Sequence, residues 1–213
     1  MAAHVLELRI DPGATAGMLL DALEAGREAG AACALVDATG DLPERFEAAA
    51  DWLRAVTLFE LPTVFVFETT VGGGLTEFAL ACDIRVCGGG GALKGRIRGN
   101  ARARTLAGEG AALSLFLGQA LDAEALLAAG LVSNVTTPGA ALAEGRRLAG
   151  VIASRGPIAT RLGKEAIWRG LAQPLEQALR FETDLTLLLQ TTKDRAEGVR
   201  AFLEKRTPIF AGE

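Results

Sequence analysis

The sequence predicts a layered α/β domain with parallel strand pairing in its first half and a helical second half. Three observations carry this. Up to residue 87, short apolar runs alternate with amphipathic stretches; the runs at 33–36 and 63–67 read as strands covered on both faces; and beyond Gly110 only helical spacing appears, broken at Gly130, Pro138, Gly156-Pro157 and Pro174. The chain contains no internal repeat.

The elements follow in order. Val5 to Ile10 alternates and runs into Asp11-Pro12-Gly13, a strand ending in a turn. Residues 15–29 place Met18, Leu19, Ala22 and Leu23 at helical spacing, with Glu24, Arg27 and Glu28 opposite. A buried strand, Cys33 to Val36, closes at Thr39-Gly40-Asp41. From Pro43 to Phe59 the positions of Phe46, Ala49, Ala50, Leu53 and Val56 predict a second helix, which Pro62 ends ahead of the strand Thr63 to Phe67. Gly72-Gly73-Gly74 leads into a helix from Leu75 to Ala81, and Ile84 to Cys87 is a further short strand. Residues 94–104 are short and basic, with Lys94, Arg96, Arg98, Arg102 and Arg104. This divides the chain into an α/β body, residues 1–109, and a helical region, residues 110–213.

Composition removes several function classes. The 213 residues carry 22 Lys plus Arg against 26 Asp plus Glu, a net charge of −4, which provides no general attraction for nucleic acid or an anionic membrane. His4 is the only histidine and sits near the terminus, so neither a Ser-His-Asp triad nor a histidine-rich metal site is expected. Cys33, Cys82 and Cys87 lack the paired short spacing of a zinc site and read as small buried hydrophobes in a reducing compartment. No basic leader with an apolar core and no run of about 18 apolar residues appears, so a cytoplasmic protein is the expectation.

The candidate chemistry starts at the glycine run. A strand that passes through glycines straight into a helix leaves free N–H groups at the positive end of the helix dipole, where an oxyanion or phosphate is stabilised. A tight packing turn explains three glycines equally well, and no Lys-Ser or Lys-Thr follows as a P-loop requires. Glu77 lies near the start of the apolar helix that follows. Either its carboxylate faces the same cavity as the Gly74 N–H, where an apolar cleft would raise its pKa and suit it to acid–base work, or it lies on a solvated face.

Pro62 to Asp83 resembles the core motif of the enoyl-CoA hydratase/isomerase family, the crotonase superfamily: Gly73-Gly74, then Glu77-Phe78-Ala79-Leu80-Ala81-Cys82-Asp83-Ile84-Arg85, in register without a gap. The C-terminal half resembles it too, in Gly130-Leu131-Val132, Lys164-Glu165-Ala166, Thr192 with Asp194, Glu197-Gly198, and the closing run Ala201 to Phe210. The resemblance implies a crotonase-like (ClpP/crotonase) spiral of ββα units with a C-terminal helical trimerisation region. It also implies an acyl-CoA substrate and no separate cofactor or metal, coenzyme A arriving as part of the substrate. Glu77 would be the catalytic acid or base, and Gly74, beside the substrate-binding Gly73, one N–H donor to the thioester oxygen. Lys205 matches a family lysine that grips coenzyme A phosphates, often of a neighbouring subunit; an exposed surface lysine is the plainer reading.

Two departures from the family stand out. The second oxyanion donor lies in a Phe-Ser-Ala-Gly-Ala-Asp loop, which Phe46-Glu47-Ala48-Ala49-Ala50-Asp51 imitates, making Ala50 the donor. The helical pattern runs through these same residues, and on that reading the loop that also cradles the adenine is missing. The family's second glutamate falls, counting from Asp83, on Ile97, and the segment after it is about ten residues short. Isoleucine cannot transfer a proton. The surrounding arginines either grip phosphates or a substrate carboxylate, or form a solvated basic loop.

Two functions are therefore open: an acyl-CoA enzyme working through an enolate, or a catalytically degenerate subunit that helps a biosynthetic partner. Ile97 separates them. Leu175, Leu179, Phe181, Leu185, Leu187, Leu188 and Leu189 give one helix more apolar surface than a single face needs, which points to a homotrimer or a dimer of trimers.

Overall fold

The computed structural model describes residues 4–47, 49–95, 114 and 117–213. Its first half is a βαβ unit, β1 (His4–Arg9), α1 (Ala16–Glu28) and β2 (Ala31–Ala38), followed by α2 (Ala50–Thr57). Next come β3 (Thr63–Phe67), β4 (Thr70–Gly72) and α3 (Gly73–Ala81), one complete ββα unit, and then β5 (Ile84–Gly88) and β6 (Ala92–Lys94). The chain continues through β7 (Ala120–Asp122), α4 (Ala123–Ala128), β8 (Asn134–Thr136) and α5 (Ala141–Ala153). It ends in α6 (Pro157–Gly170), α7 (Leu175–Gln190) and α8 (Lys193–Leu203).

Five strands form a parallel sheet in the order β1-β2-β3-β5-β8. Every residue of β2 and β3 is buried, so the continuous apolar runs have the cause expected of a sheet covered on both faces. Val36, Phe65, Phe67 and Cys87 face the side of α1, α2 and α3, whereas Leu35, Val64, Val66 and Val86 face α5. The second sheet, β4-β6-β7, is small and mixed. Since β3 belongs to one sheet and β4 to the other, each ββα step turns a corner. Among the described residues no helix is long and apolar enough to cross a membrane.

Two expectations are corrected. The helix expected from Pro43 to Phe59 is helical only over Ala50–Thr57; residues 43–47 and 49 are irregular. Phe46 is buried, 7% exposed, but from this loop rather than from a helical face, and alanines at 49 and 50 satisfy an apolar period without requiring it. The loop that a continuous helix would have eliminated is therefore present. The second correction concerns residues 110–213, expected to be helical throughout. They contain β7 and β8, the latter an edge strand of the main sheet with α5 packed nearby, so the purely helical region begins at Ala141. Three-residue strands are too short to leave a period of two in a sequence.

Candidate active site

In a parallel sheet all strands end on one edge, and the turns leaving that edge are where a ligand cleft forms. Two such turns meet here. After β2, the carboxylate of Asp37 accepts from the Thr39 N–H at 2.9 Å and the Thr39 hydroxyl at 2.6 Å, which fixes how the chain leaves the strand. Phe46 then returns the loop to the core: its ring meets Phe78 of α3 at 5.7 Å in an edge-to-face contact, and Phe78 in turn meets Phe65 of β3. After β3, the chain passes through β4 and enters α3 by way of Gly73.

Gly73 has φ +59, a conformation that costs other L-residues about 1–2 kcal/mol, while a Cβ there would meet nothing within 4 Å. Backbone, not space, calls for glycine. No side chain caps this end of α3. The first-turn N–H groups of a helix have no intrahelical acceptor, so those of Gly73 and Gly74 lie at the positive end of the dipole. The Thr76 hydroxyl, 3.0 Å from the Val71 carbonyl and 2.8 Å from that of Lys94, joins this first turn to β4 and β6. At the other end of α3, the buried Arg85 guanidinium donates to the Ala79, Cys82 and Leu131 carbonyls. Burial lowers its pKa, and the negative helix end offsets part of that cost.

Between the two turns lies a cleft of about 350 Å³, with residues 42–47 as one wall and Thr70, Gly72, Gly73 and Leu75 as the other. Gly74 is half-buried; Glu77 is only 5% exposed. Of its two readings, the solvated face is excluded. Residues three or four apart share a helix face, so Glu77 lies one turn in from Gly73 and Gly74 and on their side. Ala50 opens α2, and Lys205 does not line the cleft. Ile97 and the arginines at 96, 98, 102 and 104 lie outside the described residues.

A larger hollow, about 780 Å³, opens at the opposite end of the sheet between α2, α6 and α7. At its base Lys164 pairs with Asp83 at 2.7 Å. Asp83 also accepts from the Thr63 N–H and hydroxyl and from the Trp168 indole, and Lys164 donates to the Leu61 carbonyl. This is a bracket joining α6 to the sheet. Both residues belong to motifs visible in the sequence, but their pairing across 81 positions is not local information.

The cysteines are buried, as read from the sequence. Burial pushes the Cys33 thiol up to about 12 and Cys87 to about 11, far from a reactive thiolate at neutral pH. Among the described residues no group of His, Cys, Asp and Glu is placed to hold a metal ion.

Residues 39–213 match the sequence profile of the family described as enoyl-CoA hydratase/isomerase. The chain is 33% identical over 167 residues to the probable mitochondrial enoyl-CoA hydratase 2 of Arabidopsis thaliana, covering 74% of this chain and 56% of that one. It is 31% identical to the crotonyl-CoA hydratase of Syntrophomonas wolfei, covering 74% and 64%. The chain thus spans 56% to 64% of the length of these two relatives. Among solved structures it superposes on an enoyl-CoA hydratase/isomerase from Mycobacterium paratuberculosis with TM-score 0.88, at 20% identity over 100% of this chain and 97% of that one. An enoyl-CoA hydratase from Bacillus anthracis gives 0.79 at 27% identity, over 99% and 96%. The spiral ββα architecture is therefore the crotonase fold, and with the profile match spanning residues 39–213 the chain belongs to the enoyl-CoA hydratase/isomerase family.

Proposed function

We propose that this protein binds an acyl-CoA thioester in the cleft between residues 42–47 and the start of α3 and converts it through an enolate. The observation that carries the reading is the helix terminus: Gly73 at φ +59 opens an uncapped α3 toward the cleft, with Glu77 buried one turn behind. The Gly74 N–H meets negative charge as it develops on the thioester oxygen; removing one such donor costs about 10²–10³ in kcat. Glu77 moves the proton at the α-carbon. Ala50, the second donor by resemblance, starts α2 and supplies an N–H from a second helix terminus.

Lys205 contacts the coenzyme A phosphates of a neighbouring subunit in this reading, which calls for a homotrimer or a dimer of trimers. Supporting it, α7 has no buried residue, and Leu175, Phe202 and Ile209 are 75%, 82% and 80% exposed. A cytoplasmic setting suits three buried, unpaired thiols.

The test is titration of the purified chain with crotonyl-CoA and acetyl-CoA, following binding by calorimetry and double-bond loss by ultraviolet absorbance. Binding with turnover, abolished in a folded Glu77→Gln variant, is the expected result. Turnover unchanged in that variant overturns the assignment. Binding without turnover supports a second reading, favoured by Ile97: a degenerate family member that carries an acyl-CoA for a biosynthetic partner.

A further inference from the structure

We propose that Glu47 is the second acid–base residue of this site. The inference rests on the enolate reading above and deepens it. Adding water across an enoyl thioester requires two proton movements, one from water at the β-carbon and one to the α-carbon, and each is served by a group positioned within hydrogen-bond reach of it. Ile97 transfers no proton. The cleft itself supplies a carboxylate in its place: Glu47 lines the wall opposite Gly72 and Gly73.

Position favours Glu47 over Glu44, the other carboxylate of that wall. Glu47 follows directly on Phe46, whose ring is locked against Phe78, and Phe78 follows directly on Glu77. One edge-to-face contact therefore sets the spacing of the two carboxylate-bearing backbone segments. With Phe46 turned into the core, its neighbour Glu47 stays exposed on the cleft. Glu44 sits two residues further from the anchor, after Pro43.

The step balances as follows. Glu47 takes a proton from water as the water oxygen bonds to the β-carbon. The π pair moves toward the α-carbon and the thioester oxygen, where the Gly74 N–H holds the charge. Glu77 then gives its proton to the α-carbon and the thioester re-forms. One water is consumed and nothing is oxidised: one water proton goes to Glu47, one proton reaches the α-carbon through Glu77, and proton exchange between the two carboxylates and solvent in the open cleft closes the cycle.

The division of labour can be read separately from folding. Hydration of crotonyl-CoA needs both residues, whereas exchange of the α-protons of butyryl-CoA with deuterated water needs only Glu77. Glu47→Gln is expected to lower the hydration kcat by about 10²–10⁴, with KM and the exchange rate held within about threefold. Glu47→Asp should recover part of the loss, and Glu77→Gln should lose both reactions. An active wild type with hydration unaffected in Glu47→Gln overturns the role of Glu47 alone, as does loss of exchange in step with hydration. A wild type inert in both assays overturns the enolate reading and this inference with it.

Discussion

The Phe46 ring stands edge-on to Phe78 at 5.7 Å and 73°, tying the loop after β2 to the helix that carries Gly74 and Glu77. Phe46→Ala is expected to destabilise the chain by about 3–5 kcal/mol, the usual range for emptying a buried phenylalanine site. It should also raise KM for acyl-CoA more than it lowers kcat, since the loop loses its anchor while α3 keeps its cap-free end. Phe46→Leu should retain most of the stability. Urea titration and steady-state kinetics on both variants check this; equal KM in all three proteins would detach the loop from substrate binding.

A second prediction concerns Glu68, whose carboxylate leaves the end of β3 and accepts from the N–H groups of Gly139 and Ala141 at 3.0 and 2.8 Å. It thereby caps α5 across the top of the sheet. A Cβ on Gly88 would stand 1.7 Å from its Oε2. Gly88→Ala should displace Glu68 from the helix end, losing a cap generally worth about 0.5–2 kcal/mol and adding strain. In a double-mutant cycle with Glu68→Ala, the two losses should fall well short of adding, because the second change removes the atom that clashes. Additive losses would place the cost of Gly88→Ala elsewhere.

Lys205 closes α8 in the left-handed conformation, φ 54, where glycine is usual. Its N–H donates to the Phe202 carbonyl and that of Arg206 to the Ala201 carbonyl, the two bonds of a Schellman ending. Lys205→Gly is therefore expected to stabilise the fold by about 1 kcal/mol. If the lysine grips coenzyme A phosphates, the same variant should bind acetyl-CoA more weakly and with less dependence on salt. Higher stability with unchanged affinity would leave the lysine a purely structural oddity.

How much of this was legible in the sequence depends on how far apart the partners lie. The strands β2 and β3 and helix α1 are local patterns of adequate length, and they stand within a few residues of where the sequence puts them. Glu77 was visible as a carboxylate on an apolar helix, but its burial depends on packing that the helix pattern alone left open. Around Phe46 the sequence misleads, because helical period and loop anchoring call for the same buried Phe46. Contacts such as Asp83 with Lys164 and Glu68 with the start of α5 span 73 or more positions, and no periodicity reports a contact at that range.

The C-terminal segment provides a pH test. Glu197 accepts from Arg206 and from the Ile209 N–H, and chiefly the Arg206 hydrogen bond holds its pKa down to about 2. A carboxylate whose folded pKa lies below its unfolded value stabilises the native state above the unfolded pKa, and loses that contribution as pH falls through the folded one. Attachment of residues 206–210 to α8 should thus be complete at neutral pH and weaken between about pH 4.5 and 2. Glu197→Gln should remove most of that pH dependence, because the glutamine has no proton to gain. Proteolytic sensitivity of the C-terminal segment, measured against pH in both proteins with an acid-active protease, checks the prediction. A wild-type profile as flat as that of the variant would show that Asp194, which accepts from Ala211 and Gly212, holds the segment without help from Glu197.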